Sequence, residues 1–185
     1  MAKNRSHGES FEKRLKRFKD GPPTEIISTL LNSIANYFNN EIKAASDNKQ
    51  TCLLFLGIHA SILTFSEALF NKFGLDGYKY FLEKFVDGET ENLEFSIIAS
   101  EIHAWRNVLA HQWLSSTGHE ITYGYDMEEG WKKFEGILYI NPKKYCGQYL
   151  SAFSRKDNVY DFLDYLTEEE LNFAKERIMK KYIKK

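Results

Sequence analysis

Residues 51–66 read TCLLFLGIHASILTFS, sixteen positions without a charged side chain. Apolar groups fall on nearly every side of the helical wheel. The pattern predicts a helix over about residues 50–72 that is buried all round and so central to the fold. The uncharged run is shorter than the ~20 apolar residues a bilayer span needs, so it reads as a core helix and no membrane association is expected. Gly74 is expected to stop it. On its N-terminal side, Ile26, Ile27, Leu30, Leu31, Ile34, Tyr37, Phe38 and Ile42 keep helical period to about residue 45. That helix follows Gly21-Pro22-Pro23, with Thr24 as the expected N-cap. Phe11, Leu15 and Phe18 form a short amphipathic helix at i, i+4, i+7, and residues 1–8 are expected to be disordered.

On the C-terminal side, residues 76–86 and 90–114 read as two further helices. The period then changes. EITYGYDM (residues 120–127) alternates and GILYI (136–140) is β-prone, which predicts a hairpin across a loop at 127–135. Residues 142–154, 157–166 and 167–182 read as helices, the last opened by the capping-box pattern of Thr167-Glu168-Glu169-Glu170. The expected fold class is mainly α, an antiparallel helical bundle with a small inserted β-hairpin near residues 120–140.

The chain is one domain's worth of sequence, 185 residues, 43% hydrophobic and 28% charged. We divide it into a basic N-terminal segment, 1–20, and a single helical domain, 21–185. Cys52 and Cys146 are too few for a disulfide framework or a cysteine-based zinc site. The start of the chain has no apolar stretch that fits a signal peptide, and a cytoplasmic location is expected. The formal net charge of −1 hides a segregation: residues 1–20 balance to +4, 175–185 to +5 and 21–174 to −10. An acidic body argues against a general nucleic-acid binder. If RNA or DNA is touched, the basic ends or a local patch must supply the attraction; the bland reading is that both ends are solvated helix termini.

Residues 90–114, TENLEFSIIASEIHAWRNVLAHQWL, carry the chemical signal. Ile98, Ile102, Trp105 and Leu109 share a narrow arc expected to face the core, with Phe95 and Trp113 on one flank and Ile97 and Val108 on the other. Ser96, Ser100, His103, Asn107 and His111 are expected on the opposite, outer face, with Ala104 and Ala110 at its margins. Small side chains there would let another helix approach closely. Arg106 lies between the faces, about 140° from His111 on the wheel. An R-N-x-x-x-H hexapeptide, Arg106 to His111, arises by chance roughly 0.01 times in a chain of this composition.

On these residues the chain resembles the HEPN superfamily, helical domains with an R-x(4–6)-H motif in which Asn is favoured directly after the Arg. The resemblance covers about residues 24–114. It implies a metal-independent endoribonuclease that leaves 2′,3′-cyclic phosphate and 5′-hydroxyl ends. It also implies a homodimer through the 90–114 face, with two Arg/His pairs in one cleft, and the role of a toxin or defence factor with RNA and an antitoxin or other protein as partners. By the same resemblance His111 is the general acid/base, Arg106 holds the scissile phosphate, and Asn107 orients the phosphate or His111. These residue types suit such chemistry, since a histidine titrates near neutrality and a guanidinium matches phosphate oxygens as a fork. Where the toxin branch has a Tyr two residues after the His, this chain has Trp113. The alternative is a non-catalytic module of the same family that dimerises or binds a ligand.

His103, Tyr123 and Tyr125 are the candidates for substrate contact. The competing readings are an interface histidine and, for the tyrosines, strand packing. His59 reads as a satisfied core histidine and His119 as an exposed turn residue. Glu101 is a candidate upstream acid. No metal is expected, because the His103/Asn107/His111 face offers no carboxylate or thiolate. No cofactor is expected either: Gly74-Leu75-Asp76-Gly77 is a turn rather than a phosphate loop.

Overall fold

Helix α3 (Thr51–Phe70) lies against five other helices: α2 (Pro23–Asp47), α4 (Gly74–Phe81), α5 (Ala99–Gln112), α6 (Pro142–Ser151) and α7 (Glu168–Tyr182). The computed structural model describes residues 10–112, 121–153, 155–156, 159–160, 163 and 165–183. The expected disorder of residues 1–8, the side chain of His111, Trp113 and His119 lie outside that description. Among the described residues α3 has the length and apolarity of a membrane span, yet Leu54, Phe55, Ile58, Ile62 and Phe65 are fully enclosed by protein. Each such side chain contributes about 1.5–3 kcal/mol by leaving water.

The ends of α3 show how charge is used. It stops at Asn71, which takes the left-handed conformation at φ 54°. Gly74, the expected stop, instead opens α4 at φ 55°. The last turn of α3 holds no basic residue. Arg177 of α7 fills that role: its Nε donates to the Ala68 carbonyl (3.2 Å) and an Nη donates to that of Leu69 (2.8 Å). A cation there satisfies orphan carbonyls and opposes the helix dipole. Lys175 does the same for the short helix α1 (Phe11–Asp20), donating to the Lys19 and Gly21 carbonyls at 3.0 and 2.6 Å. Lys181 pairs with Glu67. Three cations of the C-terminal basic run are therefore engaged with the fold rather than simply solvated.

Helix α2 begins two residues earlier than expected. Pro22 takes the cap position and Pro23 the first helical one, where proline's fixed φ is already suitable. Helix α7 carries the capping box as expected: Thr167 Oγ1 accepts from the Glu170 N–H (3.2 Å), and the Glu170 carboxylate accepts from the Thr167 N–H (2.8 Å). Buried hydroxyls tie three helices together. Ser61 on α3 donates to the Tyr149 hydroxyl on α6 (2.7 Å), which donates to Asn39 on α2 (3.2 Å).

Three further expectations are corrected. Residues 90–114 are not one helix: 3-10 turns at Glu91–Leu93 and Phe95–Ile98 precede α5. The Asp87 carboxylate accepts from the Ser96 N–H (3.0 Å), and the Gly88 N–H donates to the Leu93 carbonyl (3.1 Å), so local bonds take groups a continuous helix would use. Ile97 is consequently exposed and Ser96 buried, the reverse of the wheel reading.

The hairpin is also elsewhere. β1 (Ile121–Tyr123) does lie beside β3 (Ile137–Ile140), but parallel; the antiparallel partner of β3 is β2 (Trp131–Phe134). The β2–β3 connection is Glu135-Gly136, with φ of 49° and 81°, the double positive φ of a two-residue hairpin turn. Finally, Val159–Tyr160, inside the helix expected over 157–166, is a strand (β5) paired with Arg155–Lys156 (β4), as β-branched and aromatic residues prefer.

Candidate functional site

The packing of α5 on α3 brings three charged or titratable side chains together. Ile98, Ile102, Trp105 and Leu109 are buried, as the wheel predicts, and Trp105 meets Phe55 edge-on at 5.1 Å. That seating turns His103 inward rather than outward. Its Nδ1 lies 2.9 Å from Nε2 of His59, with the ring centroids 4.9 Å apart. His59 also lies over the Tyr78 ring at 4.4 Å, and the Tyr78 hydroxyl bonds that of Tyr145 at 2.6 Å. Burial pushes both phenols above their ordinary range.

Electrostatics follow from this enclosure. Burial, then the Arg106 charge, then His103 hold His59 down at about 3, so its ring is neutral at physiological pH. His103 is lowered for the first two of those reasons, burial and then Arg106. The expectation that His59 is satisfied holds for one nitrogen only. Its Nδ1 is buried without a hydrogen-bond partner among the described residues.

Arg106 is half-buried on α5, and its charge acts on both histidine rings. An Nη donates to Asn107 Oδ1 at 2.8 Å, whereas its buried Nε finds no acceptor among the described residues. No carboxylate there pairs with it within salt-bridge distance. Asn107, expected to orient a phosphate or His111, thus supports Arg106. The backbone of His111 continues α5 one turn beyond Asn107.

The tyrosines are placed apart from the histidine pair. Tyr123 packs between Phe55 (6.0 Å) and Trp105 (5.5 Å), with its hydroxyl near Cys52. Tyr125 bonds the Thr51 hydroxyl and receives Lys49 over its ring at 5.2 Å. Glu101 accepts from Lys133 at 2.6 Å and from Ser100 at 2.7 Å. Burial opposes ionisation there, but these bonds outweigh it and hold the carboxyl low. Its partner is a strand lysine. The Cys146 thiol is pushed up by burial, contrary to what a nucleophile needs. An apolar groove of about 590 Å³ between α2 and α3, lined by Phe38, Ile42, Leu53 and Gly57, includes none of the motif residues.

The His59–His103 contact is the functional feature sequence reasoning missed. A histidine alone in an apolar helix was the available signal, because a buried polar group demands a partner. No group of three or more His, Cys, Asp or Glu residues close enough to hold a metal occurs among the described residues. The arrangement sets a half-buried guanidinium beside a neutral imidazole, with no acidic partner among the described residues, and such a cation has the chemistry to pair with an anion. No family model, no curated protein and no solved structure matches the chain.

Proposed function

We propose that the chain is a HEPN-type, metal-independent endoribonuclease that works as a homodimer on an antiparallel helical frame and serves as a cytoplasmic toxin or defence factor. One observation carries the reading. Arg106, within the R-N-x-x-x-H motif, is half-buried, braced by Asn107, and has an enclosed donor and no counter-charge among the described residues. The guanidinium stands on a half-buried side chain with no carboxylate partner among the described residues, and its N–H groups match the oxygens of a phosphodiester. His111 then accepts the proton of the ribose 2′-hydroxyl as its oxygen attacks phosphorus. The bond to the 5′-oxygen breaks, and that oxygen takes a proton from water, while His111 returns its own to solvent. Exposed Ser100 and half-buried Ala104 and Asn107 on α5 offer the small-residue face on which a second α5 would pack.

The test is cleavage of mixed RNA by the purified chain in EDTA, with Arg106→Ala and His111→Ala alongside and the ends of the products mapped. Cyclic phosphate ends that vanish in both variants support the nuclease. Binding without cleavage at every RNA concentration supports the non-catalytic module instead, and a strict monomer on gel filtration removes the composite cleft.

A further inference from the structure

The contact between Nε2 of His59 and Nδ1 of His103 requires one ring to donate and the other to accept. His59 is fully enclosed, and its Nδ1 has no partner among the described residues. If His103 donated, the neutral His59 would have to carry its proton on Nδ1, giving a buried N–H without an acceptor. That is the rarer and costlier orphan. If His59 donates from Nε2, its Nδ1 bears only a lone pair. The positive charge of Arg106, felt by both rings, favours a lone pair over an N–H. None of the groups facing the pair supplies an acceptor for an Nδ1–H of His59 among the described residues. Tyr78 of α4 lies over His59 and 6.2 Å from His103, Arg106 comes from α5, and no carboxylate of the described residues forms a salt bridge with either ring.

This direction of donation decides the state of His103. Its Nδ1 accepts, so a neutral ring carries its proton on Nε2. The ring is only half-buried and Nδ1 is the inward atom, which leaves Nε2–H to meet a ligand. Protonating His103 would put a hydrogen on Nδ1 and break the bond from His59 or force its proton onto the enclosed nitrogen. We propose that His59 is a positioning residue that holds His103 in the neutral Nε2–H form, so that His103 donates to a phosphate oxygen of a bound RNA strand beside the Arg106 guanidinium. The anion's identity rests on the nuclease reading; the tautomer does not. In this arrangement His103 is a fixed donor and leaves proton transfer to His111.

A long-range 1H–15N spectrum of the free full chain at pH 7 reports which ring nitrogen of each histidine is protonated. The expected result is Nε2 alone for both His59 and His103, with His59→Phe giving a mixture of tautomers at His103. An RNA oligonucleotide with 2′-O-methyl groups, which the 2′-hydroxyl route does not cut, should then shift the His103 Nε2–H resonance on binding. His103→Ala should weaken that binding ~3–10-fold, the loss of one neutral hydrogen bond, and His103→Gln, which keeps a side-chain N–H, should recover most of it. A wild-type His103 protonated on Nδ1, or charged at pH 7, overturns the proposal without any variant. So does a His103 resonance indifferent to saturating oligonucleotide, or an oligonucleotide that never binds. Binding as expected while unmodified RNA stays intact sinks the nuclease reading alone; cleavage with the other tautomer sinks this one alone.

Discussion

Arg177 and Arg106 are both half-buried, and each sits on a helix that packs against α3. At Arg177 the geometry is closed: Nε and one Nη each meet a carbonyl at the end of α3. At Arg106 one Nη is braced by Asn107 and the enclosed Nε meets nothing among the described residues. Donors aimed at orphan backbone carbonyls stabilise a helix end. A guanidinium braced at one Nη, with no carboxylate partner among the described residues and its charge acting on two histidine rings, is where the proposed phosphate contact falls. On the proposed reading the same residue type does two jobs, and its hydrogen-bond partners distinguish them.

Cleavage rate should separate the two arginines most. Arg106→Ala and His111→Ala should each slow RNA cleavage by at least ~10²-fold, the usual loss for one phosphate-stabilising or proton-transferring group. The thermal midpoint of Arg106→Ala should be unchanged or higher, because an unpaired charge has gone. A gel assay beside a melting curve reads both. Arg177→Met should do the reverse. Loss of its charged hydrogen bonds should cost about 2–3 kcal/mol, lowering the midpoint by ~2–4 °C per kcal/mol while cleavage well below the midpoint persists. An Arg177→Met protein with normal stability and no cleavage would end the distinction.

A pH series sharpens it. The pKa of His59 falls from 6.5 to about 3 on folding, so below pH 6.5 the unfolded chain binds a proton that the folded one refuses. The stability tied to the neutral ring is complete above pH 6.5 and declines through the window down to about pH 3, by at most ~1.4 kcal/mol per unit. His103, also lowered, adds in the same sense. Urea titrations should find the chain about 1–2 kcal/mol less stable at pH 5 than at pH 7, and His59→Phe should flatten that slope. The smallest effect belongs to the exposed pair Lys133–Glu101. Lys133→Ala should change stability by under ~1 kcal/mol, and high salt should erase even that.

Local signals carried much of this fold into the sequence. The uncharged run at 51–66 told of a central helix, and Thr167 with Glu170 told where α7 begins. Non-local pairings were illegible. Nothing in GILYI says whether EITYGYDM will lie beside it parallel or antiparallel, and the lysines of WKKF hid β2. The Asp87–Ser96 bond that breaks the 90–114 helix joins residues whose linear pattern is still helical. At the site, the motif named Arg106 and Asn107, but the wheel put His103 on the outer face. Its partner His59 sits 44 positions away on another helix, beyond the reach of any local spacing.

The apolarity of α3 has a consequence during synthesis. Of the helices that cover it, only α2 precedes it in the chain; α4, α5, α6 and α7 all follow. A partly made polypeptide that has reached residue 70 therefore presents a greasy cylinder with a single neighbour, the kind of surface that recruits chaperones or self-associates. Slowed translation just beyond α3 should prolong that exposure and lower the yield of folded product.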